Sequence, residues 1–209
     1  KNQTKWTAEA SALDKDIRSK TEKQGGKEFS DLAALSYRQA FAAHKIVCDI
    51  DGKPMMFSKE NFSNGCIGTV DVLYPAAPIM LWLNPELLEA NLRPLFIYAS
   101  TPRWHWNFAP HDLGQYPLAN GQVYGGGERT EENQMPVEEC GNLLILAAAL
   151  VERGGSKDFV REFRPVLDKW ADYLLSKGLD PENQLCTDDF AGHLALVRVM
   201  DAREHLDEG

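Results

Sequence analysis

Three stretches of this sequence carry polar groups of the kind that move protons, and each lies where a polar loop runs into an apolar segment. The first is Trp104-His105-Trp106-Asn107-Phe108-Ala109-Pro110-His111-Asp112-Leu113-Gly114. Dense aromatics beside a His-Asp pair suit a pocket whose walls stack on a ligand while polar groups orient it. Trp104 and Trp106 serve equally well to pin a long loop to the core; His111 and Asp112 read as ligand-orienting residues. The second stretch is Pro136-Val137-Glu138-Glu139-Cys140-Gly141-Asn142. Acids in a first helical turn are favoured by the macrodipole alone. This helix, however, is apolar on nearly every side, so its first turn lies near the interior, where a desolvated carboxyl can be tuned as an acid or base. The expectation is that one of Glu138 and Glu139 works and the other is solvated. The third is Cys186-Thr187-Asp188-Asp189-Phe190-Ala191-Gly192-His193, whose paired aspartates can cap a helix, supply a second carboxylate or bind a cation.

The elements that must position these residues are mainly helical. A polar stretch from Thr4 to Lys23 fits a surface helix ended by Gly25-Gly26. Apolar residues recur every three or four positions over Phe29–Ala43, Pro136–Arg153 and Lys157–Ser176, which predicts three helices. Ser156 is placed to cap the last of them. Between Lys45 and Ser58 the period shortens, and Asp51-Gly52 predicts the turn of a short hairpin. A short buried helix is expected from near Asp71, and another from Asn84-Pro85 with a kink or break at Pro94. Ser100 to Asn133 is irregular, and a final helix is expected from Phe190. A structureless stretch of that length inside a compact domain is usually functional or mobile.

Composition narrows the partners. The chain has 209 residues, 44% of them hydrophobic, and a net charge of −9. It has no basic stripe to neutralise phosphates, so nucleic acid is not expected. The longest apolar run, Leu143 to Val151, is far short of the roughly 20 residues of a membrane span. Cys48, Cys66, Cys140 and Cys186 form no C-x-x-C pair. A Cys48–Cys66 disulfide is possible by this reading, but four buried free thiols are the expectation. Gly125-Gly126-Gly127 has neither phosphate-loop nor dinucleotide spacing, Asp49-Ile50-Asp51-Gly52 lacks the closing acid of an EF-hand, and neither G-x-S-x-G nor H-E-x-x-H occurs. Neither a cofactor nor a metal is expected.

Four segments together resemble the glutaminase A family of secreted fungal and bacterial proteins. They are Phe108 to Pro117, Met135 to Asn142, Trp170-Ala171-Asp172-Tyr173-Leu174, and Gly178 to Ala195. The resemblance runs over most of the chain to Ala195, which makes 1–195 part of one domain and leaves 196–209 as an unmatched tail. It implies an (α/α) six-hairpin toroid of the type found in glycosidases, here partial because too few helices are readable to close the ring. It also implies secretion (or a periplasmic or cell-surface place) and hydrolysis of L-glutamine to glutamate and ammonia. The Pro110-His111-Asp112-Leu113-Gly114 run is similar to a substrate-pocket motif of some toroidal β-glucosidases. A glycoside hydrolase acting on a sugar, or an inactive fragment serving as a binding module, therefore stand as alternatives.

The resulting expectation is a pocket for a small polar substrate, glutamine or a sugar. Glu139 pairs with Asp189 or Asp188 as acid and base, because amide hydrolysis needs one group to activate water and another to protonate departing ammonia. His111, Asp112, Trp104, Trp106, Glu138 and Asn142 bind the substrate, whose own carboxylate meets the donors at the helix starts. A partial toroid would also expose apolar faces, and such faces promote self-association.

Overall fold

The computed structural model describes residues 2–60 and 64–178. The chain divides into two compact units, Lys1–Ala43 and His44–Gly209.

The first unit is a helical hairpin. Helix α1, Gln3–Ala42, is interrupted at Gly26, whose φ of 81° is a left-handed conformation that glycine reaches without steric cost. The chain folds back there, so that Ser30 donates to the Arg18 carbonyl at 3.1 Å and Arg38 pairs with Asp14 at 2.8 Å. This is the Gly25-Gly26 break anticipated from the sequence, with a surface helix before it.

The second unit opens with strands β1, His44–Cys48, and β2, Pro54–Ser58, antiparallel with His44 opposite Ser58 and Cys48 opposite Pro54. The turn between them puts Gly52 at φ 80°, and the Asp49 carboxylate accepts from the backbone N–H groups of Asp51 and Lys53. Among the described residues four principal helices follow: α2 (Val70–Leu83), α3 (Pro85–Ser100), α4 (Pro136–Glu152) and α6 (Arg164–Lys177), with a short α5 (Lys157–Glu162) before the last. Helix α2 packs on α3 and α4, α4 packs on α6, and β2 lies along α3. Phe96 of α3 is the hub of the core, with the rings of Phe159, Phe163 and Trp170 at 5.0–5.4 Å. Edge and tilted contacts of this kind add to the area those rings bury.

Several expectations are corrected. The single helix over Lys157–Ser176 is two, broken at Phe163; Pro165 has no N–H to continue the ladder and starts α6 in its first turn. Ser156 does cap α5, accepting from Phe159 N–H at 3.2 Å. Helix α3 continues through Pro94. Helix α2 is only half buried, with Val72, Tyr74, Trp82 and Leu83 exposed. Cys66 and Cys140 are buried free thiols, but Cys48 is exposed, and it too is unbridged. Cys186, the helix expected from Phe190 and the tail 196–209 lie outside the described residues.

Candidate active site

The irregular stretch between α3 and α4 is fixed to both helix starts beside it. Ala109 N–H donates to Cys140 Sγ of α4 at 3.2 Å, and Val70 N–H at the start of α2 donates to the His111 carbonyl at 2.9 Å. His111 is therefore held between the first turns of two helices. Asp112, fully buried, accepts from three backbone N–H groups: Gly114 at 2.8 Å, Val123 at 3.1 Å and Tyr124 at 3.1 Å. Gln122 completes the brace, accepting from His111 N–H at 2.7 Å and donating to Gln134, which in turn donates to the Gly127 and Thr130 carbonyls.

This scaffold fixes the histidine. Asp112 Oδ2 lies 3.0 Å from His111 Nδ1. A carboxylate that already accepts three N–H bonds is an acceptor here, so Nδ1 is the nitrogen that donates, and in the neutral ring Nε2 is the one that carries the lone pair. Tyr124 stacks on the imidazole with centroids 4.0 Å apart and planes 15° from parallel. His111 itself is buried.

Two further carboxyl groups lie near the ring. Asp71 Oδ1, in the first turn of α2, is 3.8 Å from Nε2. Atoms of Asp71, His111 and Glu139 that could each act as a ligand lie within 4.8 Å of one another. Glu139 is fully buried; Asn142, one turn on, donates to its Oε2 at 3.3 Å, and its Oε1 has no partner. Burial pushes the Glu139 carboxyl well above the usual range, and the negative charges of Asp71, Glu138 and Asp112 push the same way against the Asn142 bond. A buried carboxyl in that setting holds its proton more tightly than an exposed one. Tyr124 is raised by burial and by the same acids, with Glu60 added. A separation within 4.8 Å is one at which these three groups could hold a metal ion; a tetrahedral ion with ligands at about 2.1 Å would draw them to ~3.4 Å from one another.

The residues singled out from the sequence divide clearly. His111, Asp112, Glu139 and Asn142 come together, with Asn142 holding Glu139. Glu138 is half-buried with an unpartnered Oε2 and bears electrostatically on Glu139. Trp104 is a core residue: it is 2% exposed, its Nε1 donates to the Phe108 carbonyl at 2.7 Å, and it packs on Tyr98 and Phe108. It pins the loop and does not face the cluster. Trp106 stacks on Phe108 and lines a separate cleft of about 740 Å³ with His105, Asp168 and Lys169, whose walls do not include His111 or Glu139. Asp188 and Asp189 lie outside the described residues.

Asp71 and Tyr124 are the residues sequence reasoning missed. Asp71 had a readable signal, an acid in the first turn after Gly68-Thr69, the same junction pattern that exposed Glu139. Tyr124 had none, because its place depends on the irregular loop's path.

Comparison with known proteins agrees with this architecture. Residues 26–197 match the family described as the glutaminase A six helical-hairpin domain. Glutaminase A of Aspergillus oryzae is 39% identical over 193 residues, which are 90% of this chain and 27% of that protein. A protein named as a probable glutaminase from Arthroderma benhamiae is 30% identical over 227 aligned positions, 81% of this chain and 26% of its own. The chain thus spans about a quarter of the length of these curated relatives. No solved structure matches it. On the family match and the 39% identity together, the chain belongs to the glutaminase A six helical-hairpin domain family.

Proposed function

We propose that this chain carries catalytic groups of a hydrolase that acts on the carboxamide of L-glutamine, releasing glutamate and ammonia. The observation that carries the reading is the buried, half-partnered Glu139 beside a His111 whose Nδ1 is committed to Asp112. The similar proteins named as glutaminases support the bond type. His111 Nε2 takes a proton from water as the water oxygen attacks the carboxamide carbon. Asp112 orients the ring and stabilises the imidazolium that forms, the logic of a buried carboxylate behind a catalytic histidine. Glu139, protonated because it is buried among carboxylates, gives its proton to the nitrogen as the C–N bond breaks, and ammonia leaves. The proton on His111 then returns to Glu139, and the acid product loses its own to solvent. Asp188 and Asp189 remain in the proposal as the competing base. In keeping with the secreted family it resembles, the protein acts outside the cytoplasm. Among the described residues no helix is long and apolar enough to cross a membrane.

The test is a bond-type panel on the protein that contains this chain: L-glutamine, L-asparagine and aryl glycosides, followed by ammonia or phenol release. Ammonia from L-glutamine and no glycoside cleavage is the expected result. His111→Asn should cost more in kcat than Asp189→Asn. The reverse order would move the base to Asp189, and glycoside cleavage without ammonia would sink the reading.

A further inference from the structure

Tyr124 lies flat against the His111 imidazole, with centroids 4.0 Å apart and planes 15° from parallel. Its backbone is fixed as firmly as the ring it covers. Tyr124 N–H donates to Asp112 Oδ2 at 3.1 Å, and its carbonyl accepts from Gly127 N–H at 2.9 Å and from Gln122 Nε2 at 3.2 Å. Asp112 Oδ2 is also the oxygen 3.0 Å from His111 Nδ1. One buried oxygen thus registers both the imidazole and the residue stacked on it. The proton scheme proposed above gives this tyrosine no part.

We infer that Tyr124 is a positioning residue for His111: its ring face fixes the plane of the imidazole and offsets the positive charge that ring gains on taking a proton. The inference rests on the glutamine reading above and adds the residue that readies its base. A single hydrogen bond at Nδ1 holds one edge of the imidazole and leaves the ring free to swing about that edge. A flat aromatic surface 4.0 Å away removes the swing, and orientation of this kind is worth much in catalysis. As the water oxygen attacks the carboxamide carbon, its proton passes to Nε2 and the ring becomes an imidazolium. That charge then lies over the negative face of the tyrosine, an attraction of the cation–π kind. Stacking therefore favours the charged ring of the transition state over the neutral ring of the ground state, and only such a difference raises kcat.

In this role the ring acts and the hydroxyl does not. Burial and the charges of Asp71, Glu139, Glu138 and Glu60 raise the Tyr124 phenol above its ordinary value, so it stays an uncharged O–H in neutral solution. It does not compete with Nε2 for the proton of water. Phenylalanine presents the same face without the hydroxyl, whereas leucine fills similar space with no π system. The other groups about the imidazole, Asp112, Asp71 and Glu139, are the same in either variant. A comparison of the two therefore isolates the aromatic face. A tyrosine that only filled space would be replaced equally well by either.

Ammonia release from L-glutamine by the protein that contains this chain tests the role, in Tyr124→Phe, Tyr124→Leu and, as an independent apolar variant, Tyr124→Met. The phenylalanine variant should keep kcat within about threefold of the parent. The leucine and methionine variants should lose about tenfold in kcat, with KM changed by no more than about twofold. NMR of the same protein carrying isotope-labelled histidine reads the ring without substrate. His111 should give one sharp set of ring signals, shifted upfield by the aromatic face, in the parent and in Tyr124→Phe. In the two aliphatic variants that shift should vanish and the signals should broaden or double. An aliphatic variant with the kcat of Tyr124→Phe would overturn the inference, as would a raised KM at unchanged kcat or a single sharp set of His111 signals in those variants. A tenfold loss in Tyr124→Phe would assign the role to the hydroxyl and overturn it too. A parent without the upfield shift overturns it with no variant at all. A parent that releases no ammonia sinks the hydrolase reading, and the NMR signals then decide the positioning role alone. Ammonia release that is equal in Tyr124→Phe and Tyr124→Leu does the reverse.

Discussion

Glu139 is the residue on which structure and chemistry converge, and its burial has a consequence for stability. In the folded chain its carboxyl is held well above the usual range by burial and by neighbouring carboxylates. Between the ordinary carboxylate pKa and that raised one, the folded state binds a proton that the unfolded state has released. Stability therefore falls as pH rises through that window, the opposite of a salt-bridged acid. Glu139→Gln removes the titration. Urea unfolding from pH 4 to 8 should show the variant gaining on the parent as pH rises, with the difference levelling to a constant toward and below about pH 4, where the carboxyl is protonated in both states. A difference independent of pH would contradict it. Trp104 gives the complementary case: Trp104→Ala should cost about 3–5 kcal/mol in the same assay, as a large core deletion does. A change under 1 kcal/mol would return Trp104 to the surface. The burial of Glu139 was legible in the sequence, because its helix is apolar on nearly every side and an acid in its first turn is carried into the interior. Trp104 and Trp106 look alike in sequence, two residues apart, yet only one has its N–H satisfied inside the core.

At the level of elements, periodicity revealed what repeats and missed what does not. The helices, the Gly26 fold-back and the Asp51-Gly52 hairpin follow from apolar spacing and from residues that reach positive φ cheaply. The break at Phe163 was overlooked because the apolar stripe runs through it, although Pro165 two residues on cannot donate to the ladder. The 101–135 stretch has no period at all. Its order comes from side chains acting on backbone, above all the Asp112 carboxylate and the Gln122–Gln134 pair, and such contacts are visible only once the path is known. Gly114 shows how closely that path is set. Its φ is 131°, and a Cβ there would lie 2.6 Å from the Leu118 carbonyl oxygen, which is backbone and cannot swing away. Gly114→Ala should cost about 2–4 kcal/mol, the sum of strain and overpacking. It should also weaken ligand binding, since Gly114 N–H is one of the three donors to Asp112. A variant within 0.5 kcal/mol of the parent would show that the loop tolerates another path.

For the whole molecule, the family and its six-hairpin type were readable from four short segments, and the comparisons agree. The ring was not readable in full, because the chain spans about a quarter of its curated relatives. On the outer face of α2, Val72, Tyr74, Trp82 and Leu83 are exposed, Trp82 by 67%. Clustered apolar surface favours association. Sedimentation should find concentration-dependent self-association of the chain that Trp82→Lys reduces, and a monomer at every concentration would contradict this. The central claim remains that Glu139 delivers the proton to departing ammonia, so the most direct measurement is steady-state ammonia release from L-glutamine by parent and Glu139→Gln in the protein that contains this chain. A fall in kcat of roughly 10²–10⁴-fold with KM changed by no more than a few-fold is the predicted result. An unchanged kcat with a raised KM would make Glu139 a lining residue and place the acid elsewhere.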